Sequence, residues 1–256
     1  MRIFGALIAF LQVYRGIMRM KDGFVKTGKK LGVIGGMGPA ASAEFLHILT
    51  KKSPAEIDQE HAVVYMIADT ELPDRSSAIL GKGADPSAQL RSDFDKLAAL
   101  GADIFAVPCN TAHYFIDRFE KPLSKPLVHI VEETVLAAKR LNPDGAWMLS
   151  TVGTMQSGLY QAYADKFGFD IYIPNEKQRE EIQKSIMEVK ANNFAQAGEI
   201  VRKVVLELWQ EKDLPVMTAC TEIPLGYDAS GLSKEKSVSS LEALAEACIT
   251  KLYEQK

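Results

Sequence analysis

The sequence predicts an α/β fold in which parallel sheets are covered by helices on both faces. Three observations lead there. From Leu31 onward, apolar runs of strand length alternate with helical patterns, as strand–helix–strand units require. The 256 residues are 47% hydrophobic and 25% charged, an ordinary globular composition that excludes disorder, collagen-like sequence and a disulfide-dense mini-protein. The pattern also echoes itself. A strand with a small-residue turn, Gly32-Val-Ile-Gly-Gly-Met-Gly38, recurs as Met148-Leu-Ser-Thr-Val-Gly153. A strand running into cysteine, Val107-Pro-Cys-Asn-Thr111, recurs as Thr218-Ala-Cys-Thr-Glu222. Two matches in one order indicate a duplicated α/β unit.

Each element has its local reason. Leu31–Gly35 is a continuous apolar run, and Pro39 opens a helix over Ala40–Lys51 because proline suits the first helical turn. Ala62–Ile67 is a second strand. Ser87–Leu100 is an amphipathic helix closed by Gly101, and Asp103–Val107 is a strand ending at Pro108. Further strands fall at Leu127–Ile130, Ala146–Leu149, Ile171–Ile173 and Val216–Ala219. Helices fit Val131–Leu141, Leu159–Phe167, Gln178–Lys190, Phe194–Glu211 and Leu241–Tyr253. In such sheets a ligand binds beyond the carboxyl ends of the strands.

Residues 1–30 read differently. They carry seven basic residues and one acid, so their net charge is +6 against −9 for the rest. The apolar stretch Ile3–Val13 is shorter than the roughly 20 residues that span a bilayer, and no A-x-A cleavage site follows it. An amphipathic extension, sequence upstream of a start at Met18 or Met20, and an export signal are the alternatives. Membrane contact is expected only through this segment. The overall charge of −3 argues against a nucleic-acid partner. Three widely spaced cysteines, Cys109, Cys220 and Cys248, argue against a disulfide framework and for a reducing, cytoplasmic compartment, with export as the alternative.

Cys109 and Cys220 each end an apolar strand and precede a polar turn, which places both thiols in the ligand crevice. A following helix N-terminus is expected to lower such a thiol from about 8.5 toward neutrality. Two thiols facing one ligand can remove a proton from carbon on one side and return one on the other, the minimum for inverting a stereocentre. Cys248, within a helical pattern, reads as a small buried hydrophobe.

At these residues the sequence resembles the aspartate/glutamate racemase family, in particular its aspartate racemase branch. Five segments carry the resemblance from about Lys30 to the C-terminus: Gly35–Pro39, Pro73–Arg75, Pro108–His113, Ser150–Thr154 with Ser157–Tyr160, and Ala219–Pro224. Ala219 stands where glycine is usual, and Ser239 where aspartate is common. The resemblance implies two pseudo-symmetric parallel-sheet α/β domains with the active site in the cleft between them. Residues 31–126 and 226–256 would form the first domain and residues 127–225 the second. It implies racemisation of aspartate, or also glutamate, with no cofactor: neither pyridoxal phosphate, metal nor nucleotide. Cys109 and Cys220 match the two proton donor/acceptor positions. Met37, Asn110, Thr111 and Ala112 match substrate-binding loops. Arg75 and Lys190 match the residues that grip a side-chain carboxylate, so the expected partner is a small dicarboxylic amino acid. A homodimer is also implied.

The chemistry sets further expectations. Removing an α-proton drives charge onto the substrate carboxylate, which needs fixed donors. The backbone N–H groups of the Asn110–Ala112 and Thr221–Glu222 turns, the Asn110 amide and the Thr111 and Thr221 hydroxyls suit that task, although Asn110 and Thr111 are equally good helix caps. Arg75 offers a two-pronged carboxylate grip or a surface ion pair with Asp74 or Glu71. Glu222 is either a first-turn acid or an ammonium contact. His113, four residues after Cys109, is structural or tunes that thiol. The Gly32–Gly38 turn lacks a ribose-binding acid about 20 residues on, which disfavours a dinucleotide site. Glu44 and His47 alone make no metal site, and His61 and His129 have no sequence partner. Lys234–Lys236 is a solvated loop. An isomerase or decarboxylase of a small dicarboxylate, and a bilobal binder with inert thiols, are the competing functions.

Overall fold

A computed structural model describes residues 23–255; the apolar stretch Ile3–Val13 lies outside them. Two four-stranded parallel sheets form the frame. The first contains β2 (Leu31–Gly35), β3 (Val64–Ala68), β4 (Ile104–Ala106) and β5 (Leu127–Val128), ordered β3-β2-β4-β5. The second contains β6 (Ala146–Ser150), β7 (Ile171–Tyr172), β8 (Val216–Ala219) and β9 (Ser237–Ser239), ordered β7-β6-β8-β9. The two orders are the same pattern, as the sequence echo predicts. The central strands β2 and β8 are buried at every residue, because parallel sheets are covered on both faces. This is why they stand out as unbroken apolar runs.

Side chains alternating along the strands feed three cores. Ile34, Phe105 and Val107 point to the outer face of the first sheet, against Leu90, Phe94 and Leu97 of the helix Ser87–Ala99. Trp147, Leu149 and Val216 point to the outer face of the second, against Ile182, Val201 and Val205. The inner faces, through Leu31, Val33, Ala106, Met148, Met217 and Ala219, share one continuous core. The helices Pro39–Lys52, Ile130–Leu141, Leu159–Phe167 and Ser240–Leu252 fill it. Burial of this shared layer joins the two halves through apolar packing as well as through the chain connections.

The expected domain limits need three corrections, each set by hydrogen-bonded pairing. Leu127–Val128, assigned to the second half, pairs with Phe105 and Ala106 of the first sheet. Ser237–Ser239, assigned to the segment returning to the first half, pairs with Val216–Thr218 of the second. The last helix packs on Pro39–Lys52 and on Ile130–Leu141, and Ser239 caps it by accepting the Glu242 N–H at 3.2 Å. Residues expected to be an extension include β1 (Phe24–Lys26), which forms an antiparallel ribbon with β10 (Tyr253–Gln255). Among the described residues, no helix is long and apolar enough to cross a membrane.

Candidate active site

The carboxyl ends of β4 and β8, at equivalent places in the two sheets, deliver Cys109 and Cys220 to a single cleft. Its lining also includes Met37, Asp74, Arg75, Ser76, Asn110, Thr111, Thr151, Lys190, Thr221 and Glu222. The cleft is narrow, and each of its two cysteines is only 5% exposed. The halves approach closely at its rim. Gly153 abuts Ser76, whose Cα would lie 2.6 Å from a Cβ at position 153; any side chain there would push the walls apart.

Of the residues expected in the site, Ala112 alone is not on the lining. Its methyl is fully buried in the outer core of the first sheet. Lys190 ends the helix Glu176–Lys190 and reaches the cleft from the second half. Asp74, Ser76 and Thr151 join the lining without having been singled out for it, although Asp74 and Thr151 fall inside matching segments; Glu222, read as either a first-turn acid or an ammonium contact, also lines the cleft.

Arg75 opens a short helix, Arg75–Ile79, whose cap is Asp74, accepting the Ser77 N–H at 2.8 Å. No ion pair joins Arg75 to Asp74 or Glu71 among the described residues. Arg75 Nη1 donates instead to the carbonyls of Leu72 (3.1 Å) and Pro73 (3.0 Å), and its buried Nε has no partner. The guanidinium is thus anchored at one nitrogen with a donor left over. Asp74 is held below the usual carboxylate range: burial opposes this, but the Ser77 hydrogen bonds and the charges of Arg75 and Lys190 prevail.

The turn after β4 is braced rather than capped. Asn110 Oδ1 accepts from the Tyr160 hydroxyl at 2.6 Å, and Nδ2 donates to Ser240 Oγ at 3.1 Å. Asn110 therefore ties the turn to two buried helices, and it caps no helix, since Ala112 holds the cap position of the helix His113–Ile116. The Thr111 hydroxyl meets those of Thr154 (2.8 Å) and Thr151 (3.2 Å) across the cleft. The N–H groups of Asn110, Thr111, Ala112 and Thr221 donate to no backbone carbonyl of the described residues. His113 Nδ1 lies 2.9 Å from the Cys109 carbonyl. A carbonyl only accepts, so Nδ1 carries the proton and buried Nε2 stays unpartnered. Burial first, then the neighbouring His129, lowers the His113 pKa to about 3. His113 is a neutral strut behind the thiol.

Cys220 departs from the expected lowered pKa. Burial pushes the thiol up, and the carboxylate of Glu222 adds to the effect. Cys220 Sγ donates to Glu222 Oε2 at 3.1 Å, and Thr221 Oγ1 donates to the same oxygen at 3.3 Å. The Glu222 N–H and Lys190 act the other way but do not prevail. The following helix begins only at Ile223, so its dipole is outweighed by a full negative charge in hydrogen-bond contact. Cys248, fully buried in the last helix, is likewise pushed up by burial and is not part of the cleft lining.

Known proteins share this fold. The aspartate racemase of Picrophilus torridus matches the fold with a TM-score of 0.79 at 29% identity, covering 90% of this chain and 96% of that one. Glutamate racemase isoform RacE1 of Bacillus anthracis matches with a TM-score of 0.62 at 19% identity, covering 88% and 81%, a likeness of fold alone. The broad specificity amino-acid racemase RacX of Bacillus subtilis (strain 168) is 27% identical over 207 residues, 75% of this chain and 85% of its own length. The family model for Asp/Glu/hydantoin racemases matches residues 34–248. With the duplicated parallel sheets and a cleft holding one cysteine from each, this match shows that the chain belongs to the Asp/Glu/hydantoin racemase family.

Proposed function

We propose that the protein racemises a dicarboxylic amino acid, aspartate first, by a two-thiol mechanism that needs no cofactor. The observation that carries this is the convergence of Cys109 and Cys220, from equivalent strand ends, on a cleft that also holds Arg75 and Lys190. Arg75, with its free Nε, and Lys190 supply two positive charges for two carboxylates. In one direction the Cys109 thiolate takes the α-proton and becomes a thiol. Charge then spreads onto the α-carboxylate, where the N–H groups of the Asn110–Ala112 turn and of Thr221 meet it. The Cys220 thiol delivers its proton to the opposite face of the carbon and leaves as a thiolate. No proton is gained or lost overall, and the reverse direction exchanges the two roles. A broader substrate range is the second reading. Asp74 on the same wall supports it, because it offers a partner for a cationic side chain, as does the likeness to the broad specificity relative.

Incubation with L-aspartate in D2O tests the proposal. D-aspartate carrying deuterium at the α-carbon is expected. Cys109→Ala and Cys220→Ala are each expected to reduce racemisation by about 10²–10⁴-fold. Wild-type turnover in either variant excludes the two-thiol scheme. A shortened product indicates a decarboxylase, and absence of label with any amino acid indicates a binder.

A further inference from the structure

We propose that Glu222 receives the α-ammonium of the substrate and, until that cation arrives, keeps the proton on Cys220. For its choice of ligand this rests on the racemase function proposed above.

Glu222 is 3% exposed and lines the cleft beside Cys220. Its two oxygens differ. Oε2 accepts from the Cys220 thiol and the Thr221 hydroxyl. Oε1 is buried with no partner among the described residues. None of the ion pairs among those residues includes Glu222. A buried carboxylate with an open oxygen is costly unless a cation or donor completes it, and in a cleft built for an amino acid the α-ammonium is that cation. Oε1 also faces Gly38 of the first half, where a Cβ would come within 2.7 Å. The glycine at position 38 thus leaves room for this carboxylate at the seam where the two walls meet. The charges then match an amino-dicarboxylate group by group: Arg75 and Lys190 for two carboxylates, Glu222 for one ammonium.

The same contact couples binding to proton transfer. In the empty cleft, burial and the Glu222 carboxylate both favour the protonated Cys220 thiol. An ammonium on Oε1 cancels most of that field, so the Cys220 thiolate becomes accessible when an amino acid is present. A ligand without an amino group leaves the proton held.

Glu222→Gln removes the charge and keeps the shape. The pH midpoint of iodoacetamide alkylation, read separately at Cys109 and Cys220 by peptide mass spectrometry, reports the first role. The Cys220 midpoint is expected to fall by about one pH unit or more, with Cys109 unchanged and Glu222→Asp close to wild type. Calorimetric binding of racemic aspartate, which is at chemical equilibrium, and of succinate, which lacks the ammonium, reports the second. Aspartate is expected to weaken by about tenfold or more, and succinate by less than about twofold. An unchanged Cys220 midpoint, equal weakening of both ligands, or no binding of either by the wild-type protein overturns the proposal. None of these readouts requires turnover, so a protein that binds and gates as described yet racemises nothing would refute the function and leave this inference standing.

Discussion

Arg75 is the residue on which the proposed preference for a dicarboxylic substrate turns. Its Nη1 is bound to two backbone carbonyls, which fixes the guanidinium before a ligand arrives, while Nε remains free. A pre-positioned fork loses little freedom on binding. Arg75→Ala is expected to raise the KM for aspartate by about 10–100-fold, the worth of a charged hydrogen bond, with about threefold or less for alanine. Equal losses for both would show that Arg75 does not read the side chain. Most of the lining of the candidate site was legible at this scale. Met37, Arg75, Asn110, Thr111, Lys190, Thr221 and both cysteines all reach the cleft lining. Ala112 did not, because a turn residue can face either the ligand or the core, and its methyl took the core. The Asn110 amide was legible as polar but not as a brace, since Tyr160 and Ser240 lie 50 and 130 residues away.

At the scale of elements, the helix Glu176–Lys190 delivers Lys190 from its last turn, and its first turn holds a capping box. Asn175 Oδ1 accepts the Gln178 N–H at 3.0 Å, and Gln178 Oε1 accepts the Asn175 N–H at 2.9 Å. Asn175→Ala is expected to cost about 1 kcal/mol in urea unfolding. The KM should be unchanged, because the cap lies at the helix end opposite Lys190. A changed KM with unchanged stability would place the cap's effect on the site. Long elements were legible because an apolar run or a 3.6-residue period repeats several times within them. The strands β5, β7 and β9, of two or three residues each, repeat nothing. Leu127–Val128 reads as a strand of the second half, and Ser237–Ser239 falls in the segment assigned to the first, until a neighbouring strand shows which sheet accepts their hydrogen bonds.

The whole molecule carries a pH-dependent stability through His113. Its folded pKa is about 3 against 6.5 for the free side chain, through burial first and His129 second. The unfolded chain therefore binds more protons between these values. Stability from this residue is complete above about pH 6.5 and is lost as pH falls toward 3; at pH 5 the loss is about 2 kcal/mol. Carboxylates held low, such as Asp74 and Asp117, lose their contribution only below about pH 5. The urea midpoint of the wild type is expected to drop between pH 7 and pH 5, and that of His113→Asn, which keeps a donor for the Cys109 carbonyl, to drop less. Parallel curves would assign the loss to other groups.

The sequence by itself determined the strand–helix alternation, the duplicated half and the two strand-end cysteines, because each is written in a run of adjacent residues. Tertiary structure alone decided three other things. The inner faces of both sheets share one core, Asn110 is locked by helices from distant parts of the chain, and Cys220 is pushed up rather than down. Packing and electric fields sum over neighbours in space. The charge that outweighs the helix end at Cys220 is only two residues along the chain, yet its effect depends on the burial that the fold imposes on both.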